Sequence, residues 1–306
     1  MRAASYDRYS KDNSALTVSE LPIPKVPPGS ALIQVKAAGV NPVDWKVMAG
    51  GLDGLMDAVF PVIPGWDVAG VVVGLGPDTP EFAIGDEVMA YARKDSAHGG
   101  TFAEQVAVPA EAIAGKPAAM SWEQAAGLPL AGGTALRTLD RIGTTAGSTV
   151  LIHNAAGGVG SFAVQVAVAS GATVIGTASE RNHDYLRSLG AEPVAYGDGL
   201  TERVRSLAPD GVDGVADFIG GQLDTTLAVL KADGQHASVA DPSVVEHGGS
   251  WVWVRPNGAD LGRLAELVRD GKLTVEVAQT FPLERVGDAF DVSREGHTRG
   301  KLVIVP

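Results

Sequence analysis

A short glycine-rich segment is the clearest candidate for ligand chemistry in this sequence. Residues 149–168 read TVLIHNAAGGVGSFAVQVAV, an apolar strand pattern that runs through a glycine turn into a helix pattern. Aligned to GxGxxG, the turn is residues 155–160, with Ala155 in place of the first glycine. Gly157 would let the backbone approach a pyrophosphate, Gly160 would let the helix pack closely on the strand, and N–H groups at the helix start would bind the anion. A tight strand-to-helix turn without a ligand is the alternative.

The end of the next predicted strand bears on which dinucleotide would bind. An NAD site places an acidic residue there for the ribose hydroxyls, whereas this chain has Ala178. Ser179 and Arg181 follow, and they could hydrogen-bond to and neutralise a 2′-phosphate, which favours NADP(H). Glu180 would repel that phosphate if it pointed inward, and Arg181 could instead be a solvated residue in the first turn of the next helix.

These candidates require a scaffold in which strands alternate with helices. Strands are predicted at residues 150–154, 173–177, 194–196, 214–219, 236–240 and 251–255. Helices are predicted at residues 121–128, 133–141, 158–170, 181–189, 200–207, 222–230 and 259–269. The alternation predicts βαβ units and a parallel sheet.

The rest of the chain has a different pattern. Residues 1 to about 110 contain short strand-like segments separated by Pro-rich and Gly-rich turns, which predicts a compact, partly open barrel. From about residue 274 the sequence again becomes strand-like and ends in KLVIV at 301–305. We therefore expect the chain to return to the first lobe.

Composition limits the classes of protein. Of 306 residues, 45% are hydrophobic and 20% charged, which fits a globular enzyme and excludes a disordered chain. The net charge of −12 disfavours nucleic acid and membrane surfaces as partners. Cysteine is absent, which excludes disulfides, a thiolate nucleophile and Cys-ligated zinc. With no signal-peptide run or bilayer-length apolar stretch in the sequence, we expect a soluble, cytoplasmic protein.

Five segments together resemble the medium-chain dehydrogenase/reductase superfamily, specifically its zinc-free, NADP-dependent quinone oxidoreductase (zeta-crystallin-like) branch. They are residues 38–44 (AGVNPVD), 64–70 (PGWDVAG), 99–104 (GGTFAE), 155–160 (AAGGVG) and 300–304 (GKLVI). The resemblance covers essentially the whole chain. It implies an α/β fold in which a GroES-like β-barrel catalytic domain, residues 1–114 and 275–306, is interrupted by a Rossmann NADP-binding domain with a doubly wound parallel sheet, residues 115–274. It also implies a cofactor and substrate cleft between the two domains, and it favours a dimer or a tetramer, of which we expect a homodimer.

The same resemblance allows a test for a metal. Zinc-dependent relatives carry Cys in the segment where Asn41 stands, and His-Glu where this chain has Trp66 and Asp67. Their third ligand falls near Pro129, and a four-cysteine structural zinc loop falls near residues 92–99. No ligand set is complete here, and Asp67 alone does not hold a catalytic zinc, which needs about three protein ligands. We expect no metal.

Without a Lewis acid, reducing an electron-poor quinone or enone is easier than oxidising an unactivated alcohol, so we expect an NADPH-dependent reductase of such acceptors. By resemblance, Asn41 lies near the nicotinamide and could donate a hydrogen bond to the substrate carbonyl. Asp44 could orient Asn41 or Lys46, and Lys46 is a candidate proton donor. The alternatives are an Asn turn at Asn41 and a surface role for Lys46.

An apolar substrate pocket could be lined by Trp45, Met56, Trp66 and Trp253, although core packing is the commoner role of such residues. Trp253 falls in the predicted late strand. The resemblance implies cofactor contacts at Thr134, Ala156, Gly157, Gly158, Val159, Gly160, Ser179, Arg181, Asn182, Tyr196, Phe218, Val239 and Lys301. A function of another class stays open: a nicotinamide-binding sensor or structural protein with little turnover.

Overall fold

The structure is a computed structural model that describes residues 1–296 and 298–306. Its strands are β1 (Arg2–Ser5), β2 (Thr17–Glu20), β3 (Ser30–Val40), β4 (Asp67–Leu75), β5 (Glu87–Tyr91), β6 (Gln105–Pro109), β7 (Ile113–Gly115), β8 (Thr149–His153), β9 (Thr173–Ala178), β10 (Glu192–Ala195), β11 (Val212–Asp217), β12 (Leu230–Ser238), β13 (Ser250–Trp251), β14 (Val277–Pro282) and β15 (Lys301–Val305). Its α-helices are α1 (Pro42–Met48), α2 (Trp122–Gly127), α3 (Pro129–Arg141), α4 (Gly160–Ala169), α5 (His183–Ser188), α6 (Leu200–Leu207), α7 (Leu223–Val229), α8 (Gly258–Arg269) and α9 (Val286–Glu295).

The chain divides into two compact units. Unit 1 comprises Met1–Leu130, Arg255–Arg269 and Val275–Pro306, and unit 2 comprises Ala131–Val254 and Asp270–Thr274. Helix α2 packs on β3 and β4, and α8 packs on β7, all within unit 1. The domain boundaries at residues 114/115 and 274/275 stay a prediction.

Unit 1 is the GroES-like, β-rich part of the α/β fold. Its sheet runs β14-β15-β3-β4-β5-β7, with β6 also paired to β3, and β1 and β2 form a separate antiparallel pair. All pairs in the sheet are antiparallel except β14 with β15. Strands β3 and β4 approach so closely at Gly70 that a Cβ there would lie 2.2 Å from the carbonyl oxygen of Gln34. Such an approach requires glycine.

Unit 2 is the Rossmann-type part, with strand order β10-β9-β8-β11-β12-β13 and every pair parallel. Its core packs apolar side chains of β8, β9 and β11, including Leu151, Ile175 and Val215, against helix residues such as Val204. The chain order reverses between β8 and β11. In open sheets of this kind, ligands bind at the carboxyl edge beside such a reversal.

Three elements differ from the sequence-based expectation. Helices α1 and α9 were not predicted, because residues 1 to about 110 and the stretch after residue 274 were both expected to be strand-like. The strand predicted at residues 251–255 was wrong beyond Trp251: β13 is the two-residue strand Ser250–Trp251, and Trp253 follows it in irregular backbone. The reason is that β13 is an edge strand, and its partner β12 ends at Ser238, which pairs with Trp251. Among the described residues, no helix is long and apolar enough to cross a membrane.

Candidate functional site

The glycine turn lies where the sequence predicted it, between β8 and α4 in unit 2. Asn154 follows β8 with a φ of 56°, and α4 begins at Gly160. A Cβ on Gly160 would lie 2.1 Å from the carbonyl oxygen of Asn154, so only glycine permits this approach of helix to strand. The backbone N–H of Ser161 bonds to the carbonyl of Gly157. In the part of the chain that the structure describes, no hydrogen bond uses the N–H groups of Gly158, Val159 and Gly160.

These three N–H groups precede or begin a ten-residue helix, so they carry the positive end of its dipole. Gly157, Gly158 and Val159 are partly exposed, whereas Ala156 is buried. A Cβ on Gly157 would meet the Asn154 amide at 2.8 Å, so this glycine makes room for a neighbouring side chain. Its approach to a pyrophosphate stays a prediction. The turn as a whole fits an anion better than a bare connection, because its donors face no partner.

The residues after β9 form a short polar cap. Ala178, where an NAD site would place an acidic residue, is buried. Asn182 donates its side-chain amide to Ser179 Oγ at 3.3 Å across the 3-10 helix Glu180–Asn182. Arg181 and Glu180 are exposed, and Arg181 takes part in none of the ion pairs found among the described residues. This cap brings together a hydroxyl, an amide and a cation, the groups that bind a phosphate monoester.

Most remaining cofactor candidates follow strands at the same carboxyl edge of the unit 2 sheet. Phe218 follows β11, Val239 follows β12 and donates its N–H to the Asp217 carbonyl, and Tyr196 follows β10 with 64% of its surface exposed. Thr134 is buried on α3, and its carbonyl accepts a hydrogen bond from Thr138. Their contacts with a cofactor stay predictions.

Sequence reasoning missed two polar side chains at this edge, Asp217 and Ser238, and did not place His153 among the site residues. The Asp217 carboxylate accepts from the N–H groups of Ile219 and Gly220 and from Ser238 Oγ. His153, its neighbour in β8, is buried with Nε2 unpartnered. Burial lowers the pKa of His153 to about 4, and the Asp217 charge opposes that shift, so the imidazole is neutral at pH 7. The sequence signal that could have identified these three residues is a polar residue at the end of each apolar strand.

Unit 1 contains a second polar cluster, in which Asn41 is held on both sides of its amide. Asn41 Nδ2 donates to Asp67 Oδ2 at 2.9 Å, and its Oδ1 accepts from the ammonium of Lys301. Lys301 also donates to the Val40 carbonyl at 3.1 Å, and Asp67 Oδ1 accepts from the Leu130 N–H at 2.8 Å. Asn41, Asp67 and Lys301 are 2%, 0% and 5% exposed. The hydrogen bond from Asn41 to a substrate carbonyl therefore depends on its one remaining amide hydrogen.

Burial controls the ionisation of this cluster. Desolvation raises the pKa of Asp67 to about 6, against the opposing effects of the Lys301 charge and the Asn41 hydrogen bond. Desolvation also lowers the pKa of Lys301, while the Asp67 and Asp44 charges raise it. The lysine charge therefore compensates the Asp67 carboxylate at neutral pH.

The residues at this position do not fit a zinc ion. The oxygens of Asp67 and Asn41 all accept hydrogen bonds, and a buried ammonium already places a positive charge beside them. Trp66 supplies no lone pair. Within the described residues, no group of three or more His, Asp or Glu side chains is arranged to hold a metal ion. The Lys301 ammonium contacts Asn41 and Val40, and its expected contact with the cofactor stays a prediction.

Helix α1 carries the other catalytic candidates. Asp44 is buried, and its Oδ2 accepts from the Asn41 backbone N–H at 2.8 Å, which caps the helix. Lys46 is exposed, with Nζ 5.5 Å from the centre of the Trp45 ring, and it contacts neither Asp44 nor Asn41. Asp44 therefore orients the Asn41 backbone and not Lys46. The structure places Lys46 at the surface, as the alternative to a proton-donor role expected.

The predicted pocket residues are divided between the units. Trp45, Met56 and Trp66 belong to unit 1 and Trp253 to unit 2. Trp45 is half-buried and donates Nε1–H to Ser293 Oγ of α9, whereas Trp66 is buried with its ring 6.2 Å from that of Tyr91. Met56 is half-buried, and Trp253 is 38% exposed. Within unit 1, as far as the structure describes it, Trp45, Met56 and Trp66 share no hydrogen bond or ring contact with one another.

Comparison with known proteins agrees with this architecture. Residues 27–118 match the alcohol dehydrogenase GroES-like domain and residues 189–304 the domain described as zinc-binding dehydrogenase. Over its whole length, the chain is 37% identical to the NADPH-dependent alkenal/one oxidoreductase of Arabidopsis thaliana, and the match covers 80% of that protein. It is likewise 34% identical to the 2-methylene-furan-3-one reductase of Solanum lycopersicum, with 79% of that protein covered. Its structure superposes on the quinone oxidoreductase of Coxiella burnetii with a TM-score of 0.88 at 33% identity, over 100% of this chain and 99% of that one. The chain belongs to the medium-chain dehydrogenase/reductase superfamily.

Proposed function

We propose that this protein is an NADPH-dependent, zinc-independent reductase of quinones or α,β-unsaturated carbonyls. The observation that carries the proposal is the pair of anion-binding features in unit 2: the free N–H groups of the glycine turn, and the cap of Ser179, Arg181 and Asn182 after β9. The relatives named above are an NADPH-dependent alkenal/one oxidoreductase, a 2-methylene-furan-3-one reductase and a quinone oxidoreductase, and these names support the same proposal.

The chain's own residues have separable tasks in this proposal. The N–H groups of Gly158, Val159 and Gly160 bind the pyrophosphate, and Arg181 with Ser179 binds the 2′-phosphate. Bound NADPH supplies the hydride, and the protein supplies orientation and polarity. In unit 1, Asp67 and Lys301 fix the Asn41 amide in one of its two flip states, since one partner only accepts and the other only donates. Asn41 is thereby preorganised to offer its remaining amide hydrogen to a substrate oxygen.

Steady-state oxidation of NADPH with a quinone panel and an enone panel tests the proposal. Menadione and 1,4-benzoquinone represent the first, and but-3-en-2-one and cyclohex-2-enone the second. We expect turnover with at least one panel and tighter binding of NADPH than of NADH. Tight NADPH binding without turnover on either panel would refute the reductase and favour the sensor alternative, whereas equal dissociation constants for NADPH and NADH would remove the role given to Arg181.

A cytoplasmic location and a homodimeric state are further parts of the proposal. Size-exclusion chromatography with light scattering measures the second directly, and a monomer at micromolar concentration would contradict it.

A further inference from the structure

A single guanidinium in unit 2 bonds to four consecutive backbone carbonyls. Arg203 of α6 donates from Nε and Nη2 to the Ala195 carbonyl at 3.0 and 2.8 Å, and from Nη1 to the Asp198 carbonyl at 2.9 Å. Its Nη2 also donates, over longer distances of 3.5 and 3.3 Å, to the carbonyls of Tyr196 and Gly197. Arg203 therefore ties the end of β10 to the start of its own helix.

The connection between β10 and α6, residues 196–199 and here called the β10 turn, is exposed and rich in glycine. Gly197 and Gly199 have φ angles of 89° and 76°. Glycine loses more conformational freedom than other residues when it is fixed in one conformation. A Cβ on Gly199 would lie 3.1 Å from Arg203 Nη1, so this glycine lets the guanidinium approach closely. The planar fork of Arg203 thus fixes a stretch of backbone that glycine alone would leave flexible.

The β10 turn lies beside the polar cap that follows β9. Strands β9 and β10 pair in parallel, with Ala178 opposite Ala195. Ser179 and Tyr196 are the next residues along the two strands. Because the backbones of neighbouring strands run only about 5 Å apart, a phosphate bound by the cap is within reach of the β10 turn.

The bonds to Arg203 also orient the peptide groups of the turn. In a trans peptide, the carbonyl of one residue and the N–H of the next point in opposite directions. Because the carbonyls of residues 196–198 are directed at Arg203, the N–H groups of residues 197–199 point away from it. In the described part of the chain, none of these three N–H groups makes a hydrogen bond. No described carboxylate, including that of the preceding Glu202, forms an ion pair with Arg203, so carbonyl oxygens alone bond to its charged group.

We propose that Arg203 is a positioning residue for the 2′-phosphate of NADPH. It holds the β10 turn so that Tyr196 and the N–H groups of residues 197–199 face the phosphate that Ser179 and Arg181 bind. A turn that is fixed beforehand lowers the entropy cost of binding. The guanidinium charge behind the turn adds attraction for a dianionic phosphate. The proposal rests on the proposed function and adds to it a residue that acts through the β10 turn.

Two adenosine ligands test this role without any turnover. Adenosine 2′,5′-bisphosphate and 5′-AMP differ only in the 2′-phosphate, so the ratio of their dissociation constants in titration calorimetry reports the contacts to that group. We expect Arg203→Met to weaken binding of the bisphosphate roughly 10-fold and to leave binding of 5′-AMP unchanged. A wild-type ratio in Arg203→Met would overturn the proposal. Loss of both ligands in proportion would also overturn it, because a merely structural role of Arg203 affects the two alike.

Arg205→Met is the matched control. Arg205 lies on the same helix, is half-buried like Arg203, and also donates to backbone carbonyls, those of Pro209 and Ala228 at 3.2 and 2.6 Å. Pro209 and Ala228 precede β11 and β12, so these bonds lie at the amino edge of the sheet, opposite the polar cap. The same loss of charge there should change neither dissociation constant. A fall in selectivity equal to that of Arg203→Met would make the effect one of net charge and overturn the role of Arg203.

The order of the β10 turn is measured directly by backbone ¹⁵N relaxation. In the protein without ligand, we expect order parameters of roughly 0.85 at Gly197 and Gly199 in the wild type and in Arg205→Met, and values below about 0.6 in Arg203→Met. Arg203→Lys keeps the charge but lacks the planar fork, so its values should lie between these. A turn as rigid in Arg203→Met as in the wild type would overturn the positioning role.

These measurements separate the proposal from the proposed function. A wild-type preference for the bisphosphate that is lost in Arg203→Met, in a protein that reduces neither quinones nor enones, would uphold the role of Arg203 while the reductase fails. Turnover with NADPH together with an unchanged preference in Arg203→Met would uphold the reductase and overturn the role of Arg203. Equal binding of the two adenosine ligands by the wild type would overturn both the preference for NADP(H) and this proposal.

Discussion

Lys301→Met is the most informative single perturbation of the unit 1 cluster. It keeps an unbranched apolar stem but removes the ammonium that bonds to Asn41 Oδ1 and the Val40 carbonyl. The variant leaves two buried acceptors unpaired and the Asp67 carboxylate without a compensating charge. Removing one member of a buried charged pair costs about 3–5 kcal/mol. At a few degrees per kcal/mol for a chain of this size, the melting temperature should fall by roughly 10 °C.

A double-mutant cycle with Asp67→Asn tests the physical cause. Asp67 accepts hydrogen bonds from two N–H groups, so the side-chain NH₂ of an asparagine at this position would face an N–H donor and not an acceptor. When Lys301 is also replaced, the Asn41 amide is free to flip and accept from the new side-chain NH₂, which relieves that conflict. The double variant should therefore be more stable than the sum of the two single effects by about 2 kcal/mol.

The assay must separate the two units, because their unfolding need not be a single transition. Hydrogen exchange at increasing urea, read on peptides of β3 and β15, measures the unfolding free energy of unit 1 alone. Peptides of β8 and β11 are the internal control. Additivity within about 0.5 kcal/mol would refute the flip-locking role of Asp67 and Lys301.

Three further outcomes follow from unit 2. Gly160→Ala should destabilise unit 2 by about 3 kcal/mol or more in urea unfolding, since its Cβ meets fixed backbone. The control is Gly262→Ala in α8 of unit 1, whose Cβ meets nothing within 4 Å, and it should stabilise that unit by about 1 kcal/mol. Arg181→Ala should weaken NADPH binding roughly 10- to 100-fold in titration and leave NADH binding unchanged, and Arg187→Ala, which removes a surface partner of Asp184, should change neither. In the wild type, the free energy of unfolding should fall by about 3 kcal/mol as the pH falls from 6.5 to 4, because the folded pKa of His153 is about 4. His153→Gln should abolish this fall, and an unchanged pH dependence of stability in the variant would contradict the assignment.

The sequence was informative where the structural signal is local. Strand–helix alternation predicted unit 2 nearly element by element, and Gly160 was correctly assigned to close helix–strand packing. Helix α9 also had a local signal, since Val286, Ala289 and Phe290 are buried at helical spacing and Gly296 ends the helix with a φ of 71°. The strand-like segments on either side led to a strand prediction for the whole stretch, so this helix signal was missed. Helix α1 has seven residues, too few to be stable without tertiary packing, so propensity alone gave no clear pattern.

The candidate site in unit 1 could not be predicted in the same way, because its contacts are distant in the chain. Asn41 was identified, but its partners Asp67 and Lys301 lie 26 and 260 residues away. Tyr6, which follows β1, was not considered, although it is 1% exposed and its hydroxyl has no hydrogen-bond partner among the described residues. Local patterns identified the residue types, and only the fold shows which of them are buried together.

The pH dependence of Lys301→Met follows from the same cluster and distinguishes charge compensation from simple packing. Asp67 in the folded protein has a pKa of about 6, above its ordinary value, so its contribution to stability is lost as the pH rises through that value. Without the Lys301 charge, the folded pKa of Asp67 rises further, and the loss extends to higher pH. The penalty of Lys301→Met should therefore be smaller at pH 5, where the carboxyl binds a proton, than at pH 8. Equal penalties at the two pH values would mean that the lysine stem, and not its charge, stabilises unit 1.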